Sequence, residues 1–181
     1  MAYTTIDDPS VYFQTTLYTG DGNSSQAQTN TGNSDLQPDW VWIKKRAGGS
    51  ARSHQLYDSS RGVTKLLHSD SADQESTQSA GLTAFSSDGF TVGDDDGIGA
   101  NTATYVAWQW KANGGSRTTF TESGTNPGGG RQVNTTAGFS IVDYTGTVAS
   151  GASGSGTIAH GLGAVPHVMI VKGRSVGAHW T

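Results

Sequence analysis

The apolar positions of the chain fall in short runs that alternate between two faces of an extended strand. In residues 40–45, Trp40 and Trp42 occupy one set of alternate positions, and Val41 and Ile43 occupy the other. A strand places these two sets on opposite sides. Because both sets are apolar, we expect this strand to be covered on both faces.

The same alternation predicts further strands. The clearest lies at residues 104–111, where Val106, Trp108 and Trp110 share one face, an arrangement that favours burial of that face. Asp88-Gly89 separates two short apolar runs and is a strong hairpin signal. The remaining candidates are strands at 3–19, 53–57 and 139–144, a strand or helical turn at 63–67, a loop or weak edge strand at 23–37, and a loop or short helix at 69–81. Many short strands between turns predict an all-β protein.

Composition narrows the class of protein and the partners that it could have. Of 181 residues, 26 are glycine, 14% are charged and 33% are hydrophobic, and the net charge is only −4. A slightly acidic chain gives no reason to expect nucleic acid as a partner. The sequence has no cysteine, which excludes disulfides and thiolate metal sites. No apolar run has the length of a membrane helix and no signal peptide is visible, so we expect synthesis in a cytosol and no membrane insertion.

A Gly-, Ser-, Thr- and Asn-rich stretch divides the chain. Between residues 113 and 136, only Phe120 and Val133 are large and apolar. This composition is typical of a flexible linker. We therefore predict a β-sandwich module at 1–112, a linker at 113–136 and a second module that begins at 137.

The second module repeats the first. Strand, turn and strand recur at a constant offset, interrupted by one two-residue insertion. The equivalent pairs are Phe13 and Phe139, Tyr18 and Tyr144, Thr19 and Thr145, Gly20 and Gly146, Pro38 and Pro166, Ile43 and Val171, Lys44 and Lys172, and Arg46 and Arg174. Residues 137–181 are then either the truncated start of a second module, which we favour, or the end of a single sandwich that retains traces of a duplication.

Several segments together resemble a domain family that recurs in tailed-phage structural proteins, particularly those of marine phages. The matching segments are 12–20, 38–44, 56–62, 85–93, 104–111 and 160–163. The resemblance implies a sandwich similar to lectin-like jelly rolls, often in tandem. It also implies a virion protein: a tail fibre, tail spike, head fibre or capsid-decoration module, made in the host cytoplasm.

The tryptophans are the candidate contact residues. Trp40 and Trp42 could lie in the core, at an interface with a second subunit, or at a glycan site, because tryptophan is common in all three settings. The core interpretation is the simplest. A strand that is apolar on both faces also fits burial between subunits, and we predict a homotrimer.

Other clusters give weaker signals. Asp94, Asp95 and Asp96 could ligate Ca²⁺, but an acidic turn explains them as well. His54 and Asp58, with Ser60, have the residue types of a hydrolytic triad, which is recognised only by its geometry. We predict no catalytic, cofactor-binding or metal-binding residues, and no enzymatic activity.

Three functions compete. The first is attachment of a longer fibre to other virion proteins of the tail or capsid, which the N-terminal position and the predicted linker favour. The second is binding of a host receptor or surface glycan, which requires exposed aromatic side chains. The third is a polysaccharide depolymerase, which requires paired carboxylates at a defined separation.

Overall fold

The computed structural model describes residues 6–149 and 152–181. A 3₁₀ turn at Pro9–Val11 precedes the first strand. In chain order the strands are β1 (Phe13–Thr19), β2 (Gln26–Thr29), β3 (Trp40–Ala47), β4 (Gln55–Asp58), β5 (Lys65–His68), β6 (Ser76–Thr77), β7 (Leu82–Ser86), β8 (Gly89–Val92), β9 (Thr104–Trp110), β10 (Thr118–Phe120), β11 (Gly129–Asn134) and β12 (Phe139–Tyr144). Positions 3–5 of the predicted first strand, and positions 150 and 151 of the second module, lie outside the described residues.

The described residues form three antiparallel sheets. The main sheet has the order β1-β9-β3-β4-β5-β6, the cover sheet β2-β8-β7 and the third sheet β10-β11-β12. In the described part of the chain, no helix is long and apolar enough to span a membrane. The predicted all-β antiparallel sandwich is confirmed.

The core lies between the main and cover sheets. Val41 and Ile43 of β3 are fully buried there, as are Tyr105 and Ala107 of β9. The apolar side chains that meet them from other elements are Tyr18, Tyr57, Leu66, Leu82, Phe90, Val92, Ile98 and Ala103. Burial of such side chains contributes about 1.5–3 kcal/mol each relative to exposure, so this layer is the main source of stability.

The predicted hairpin forms between β7 and β8, where Ser86 pairs with Gly89. Gly89 has a φ of 112°. A Cβ at this position would lie 1.9 Å from the carbonyl oxygen of Gln28 on β2. Glycine is therefore required both by the backbone conformation and by the close approach of the neighbouring strand.

The segment predicted as a linker contains β10 and β11. β10 pairs with β11, and β11 pairs with β12. Arg117 spans the sheet and donates to both carboxylate oxygens of Asp143, at 2.8 and 2.6 Å. Composition suggested flexibility, but a strand needs only backbone pairing and residues that tolerate an extended chain, such as threonine and valine.

The second copy of the β3 sequence does not form a strand. Residues 166–172 lie outside every strand of the described chain, although Val171 and Thr181 exchange backbone hydrogen bonds at 2.9 and 3.0 Å. The difference from β3 follows from pairing, because β3 has a strand on each side and this segment does not.

Candidate functional site

The outer surface of the main sheet carries the tryptophan face, which we define as Trp40, Trp42, Trp108 and Trp110. These residues sit at alternate positions of two paired strands, so Trp40 lies opposite Trp110 and Trp42 opposite Trp108. The ring centroids of Trp40 and Trp110 are 4.9 Å apart, and those of Trp42 and Trp108 are 6.1 Å apart. The cross-strand register therefore assembles a continuous aromatic surface.

The tryptophan face is half-buried, and the fully buried face of β9 is the opposite one. Phe139 of β12 stacks over Trp40 at 5.9 Å with an interplanar angle of 8°, and its ring is 6.5 Å from that of Trp110. Both faces of β3 are therefore covered, as expected, but the Val41 and Ile43 face is covered completely and the Trp40 and Trp42 face only in part. The sequence did not predict that Phe139, a residue of the repeat, covers Trp40.

A cleft remains beside this cover. It has a volume of about 140 Å³ and is mostly apolar. Its lining residues are Trp40, Trp42, Leu56, Ser69, Ile170 and Trp180. The cleft is one place where the tryptophan face remains open to a ligand, and Ser69 is its one hydroxyl-bearing residue.

His54 does not take part in a hydrolytic triad. Its Nδ1 accepts a hydrogen bond of 2.8 Å from the indole Nε1 of Trp42. Burial, aided by Lys44, lowers its pKa below the usual histidine value. Asp58 is instead bound to Arg61, and Ser60 accepts from the Gln132 amide at 2.8 Å. The three candidate residues serve separate contacts.

Two carboxylates of the acidic turn, those of Asp95 and Asp96, also bind side chains within the protein. Asp95 accepts from the side-chain amides of Gln55 and Gln78 at 2.6 and 2.9 Å. Asp96 accepts from Lys45 Nζ at 2.5 Å and pairs with Arg52. Across the described residues, no group of three His, Cys, Asp or Glu side chains is placed to hold a metal ion.

Asp39 anchors the start of β3 to the loop that follows β9. Its carboxylate is fully buried and accepts from the backbone N–H groups of Ala112, Gly114 and Gly115 at 2.7, 2.9 and 2.7 Å. The Ser59 hydroxyl donates a fourth bond at 2.6 Å. These four bonds fix the direction in which the chain leaves the sandwich toward the third sheet.

The C-terminal segment docks on the first module through polar contacts. Arg174 donates to both carboxylate oxygens of Glu75 at 3.0 Å, and the Glu75 N–H donates to the Arg174 carbonyl at 2.9 Å. Lys172 Nζ donates to the Ala72 carbonyl at 2.9 Å. The Trp180 indole donates to the His68 carbonyl at 2.7 Å. We call this set the docking contact.

Glu75 links the docking contact to the interior. Arg61, whose side chain is 5% exposed, donates to Glu75 at 3.0 Å and also pairs with Asp58. Burial raises the pKa of Glu75, but the hydrogen bonds from Arg174 and Arg61 outweigh it and hold the pKa below the usual value. No sequence motif marks this network, and only the repeat singled out Arg174.

The fold defines the class of the protein as all-β, with antiparallel sheets packed as a β-sandwich. The chain belongs to the family described as Domain of unknown function (DUF7483), which it matches over residues 8–181. The matched range includes both copies of the repeat. No curated protein and no solved structure matches the chain significantly.

Proposed function

We propose that this chain is a non-enzymatic structural protein of a tailed-phage particle. In this role it belongs to a tail fibre, a tail spike or a capsid-associated fibre, and its N-terminal module attaches the longer fibre to the particle. The protein is made in the host cytoplasm and resides in the virion, where its partners are other tail or capsid proteins.

The observation that carries the proposal is the docking contact. A fibre transmits force between modules, so it benefits from modules that are fixed relative to one another rather than joined by free linkers. Here the second repeat is tied to the first through the Glu75–Arg174 ion pair and the Trp180–His68 hydrogen bond. Phe139 adds an aromatic stack on the tryptophan face. The segment resemblance to phage structural proteins supports the same role.

Symmetric assembly is part of the proposal. Leu17 of β1 is 63% exposed on the outer surface of the main sheet, at the register position opposite Val106. Exposed apolar side chains beside an aromatic surface suit burial between subunits. We expect a homotrimer, which native mass spectrometry of the purified chain will measure. A monomer at all concentrations argues against this part of the proposal.

The decisive experiment locates the protein in the particle. Particles of the phage that encodes it are purified by density gradient and analysed by mass spectrometry and by immunogold labelling with an antibody raised against the recombinant chain. We expect peptides of the chain in the particles and gold at one fixed position on the tail or capsid. Preincubation of the antibody with recombinant protein is the control. Absence from purified particles, with the chain present in the lysate, refutes the proposal.

A second candidate function is binding of a host-surface glycan, because the open cleft is walled by Trp40, Trp42 and Trp180. Aromatic faces stack well on the apolar faces of sugars. A glycan array tests it with wild type, Trp180→Ala and a matched control, Tyr144→Ala, which removes an exposed aromatic side chain that does not line the cleft. Glycan binding predicts loss of signal in the first variant alone, and no signal in wild type excludes it.

A further inference from the structure

The second repeat exposes the positions that form the core of the first. Val41 and Ile43 are fully buried, whereas their equivalents Met169 and Val171 are 74% and 42% exposed. Exposed apolar runs of this kind mark surfaces that are covered in an assembled state. Met169 and Val171 therefore keep the apolar character of core residues, but no core surrounds them.

The outer side of the second repeat touches the first module at some positions only. Val168 and Ile170, the equivalents of Trp40 and Trp42, are still 76% and 55% exposed. Phe139, the equivalent of Phe13, stacks over Trp40, and Ile170, the equivalent of Trp42, lines the cleft beside the tryptophan face. The second repeat thus contacts the first module through part of its outer side, and the core-side residues Met169 and Val171 are also left exposed.

One edge of the second β3-like segment is already paired. In the first repeat, Ile43 lies opposite Gln55 of β4, and Lys44 donates to a carbonyl in the intervening loop. In the second, Val171 pairs with Thr181, and Lys172 donates to the Ala178 carbonyl. Both separations along the chain are two residues shorter in the second repeat. The Val171–Thr181 pair therefore reproduces the β3–β4 pair and uses the same edge.

The other edge is the one that receives β9 in the first repeat. There, β3 and β9 pair with Trp42 opposite Trp108 and Lys44 opposite Val106. No strand of the described chain pairs with residues 166–172 on this side. The backbone groups and apolar side chains on this side are therefore free to pair with an added strand of the β9 type.

We propose that residues 166–172 form a docking edge for an extended strand with the sequence pattern of β9, supplied by another module of this family. In the register of β3 with β9, the incoming strand places its Gln109- and Ala107-like side chains beside Met169 and Val171 and closes a second core. The β9 strand of a second copy of this chain is not the occupant, because β1 and β3 hold it on both edges. The proposal does not depend on a virion role.

A peptide with the sequence of residues 104–111, flanked by lysines for solubility and labelled with a fluorophore, tests the docking edge by anisotropy titration against the intact chain. We expect saturable 1:1 binding. The double variant Met169→Asp/Val171→Asp should weaken it about tenfold or more, since charges replace apolar contacts worth at least ~1.4 kcal/mol. The matched control is Val165→Asp, at an 86% exposed position outside the edge. Unchanged melting of each variant shows that folding is intact.

Three outcomes overturn the proposal. One is no binding by the wild type. Another is equal binding by wild type and the double variant, which places the peptide elsewhere, for example at the free edge of β1. The third is a peptide-free dimer that the double variant dissociates in sedimentation, which makes a second copy the occupant. Each result is independent of whether the protein is found in virions.

Discussion

Replacement of Asp39 by asparagine should loosen the joint between the sandwich and the third sheet. Both carboxylate oxygens of Asp39 accept two hydrogen bonds, and three of the four donors are backbone N–H groups that have no rotational freedom. An asparagine can keep its oxygen toward one pair of donors, but its NH₂ group then faces the other pair. The only donor that can turn into an acceptor is the Ser59 hydroxyl.

The magnitude follows from this count. With the amide placed toward Ser59, the N–H of Gly115 loses its acceptor, and a buried unsatisfied donor costs about 1–3 kcal/mol. The remaining bonds to Ala112 and Gly114 lose their charge assistance. We expect a total of roughly 3 kcal/mol, which for a chain of this size lowers the melting temperature by about 6–12 °C.

The assay combines thermal melting with amide hydrogen exchange. In Asp39→Asn we expect faster exchange at Gly115 in addition to the lower melting temperature. The matched control is Asp94→Asn, which makes the same chemical change at an exposed position. If the two variants melt within about 1 °C of each other and exchange at Gly115 is unchanged, the carboxylate does not hold this loop.

Three further predictions test other parts of the structure. Gly89→Ala should strongly destabilise the protein, or prevent folding, because the added Cβ would overlap the Gln28 carbonyl. Thermal melting followed by circular dichroism measures this effect, and a melting temperature within about 2 °C of wild type contradicts it. Phe139→Ala should cost about 2 kcal/mol and change tryptophan fluorescence, because it uncovers Trp40; an unchanged spectrum shows that the stack does not persist in solution. Glu75 has a lowered pKa, so its ion-pair contribution is complete above the ordinary glutamate value of 4.5 and is lost as the pH falls through the folded pKa. The stability difference between wild type and Glu75→Gln, measured by melting from pH 7 to pH 3, should therefore shrink toward zero at the acid end, and a constant difference refutes the ion-pair role.

Sequence patterns predict the strands of the sandwich well because each carries its own signal. The alternation in β3 and β9 marks two faces, and Asp88-Gly89 marks a turn by its chemistry alone. β10 and β11 carry no such signal, because they are ordered by pairing with each other, by the pairing of β11 with β12 and by the Arg117–Asp143 ion pair. A segment whose strands are set by distant partners cannot be distinguished from a linker by composition.

The candidate site was predictable in its residues but not in its arrangement. Periodicity places Trp40 and Trp42 on one face of β3, yet it does not say whether that face is the deeper one. Both faces of the strand are apolar, so the choice depends on what covers each. The cover sheet buries Val41 and Ile43 completely, whereas Phe139 and the docked segment cover the tryptophans only in part.

Equivalent sequences adopt different structures in the two repeats, and the difference lies in their neighbours. β3 is a strand because β9 and β4 satisfy its backbone on both edges; residues 166–172 have the same apolar pattern, one paired position and no strand structure. Hydrophobic alternation therefore specifies which side chains a strand will bury, but the strand itself forms only when a partner supplies the second row of hydrogen bonds. On this argument, the β9-like partner should convert the segment from an exposed arm into the centre of a sheet, and the gain in amide protection at residues 168–171 on peptide binding is the direct measure of that conversion.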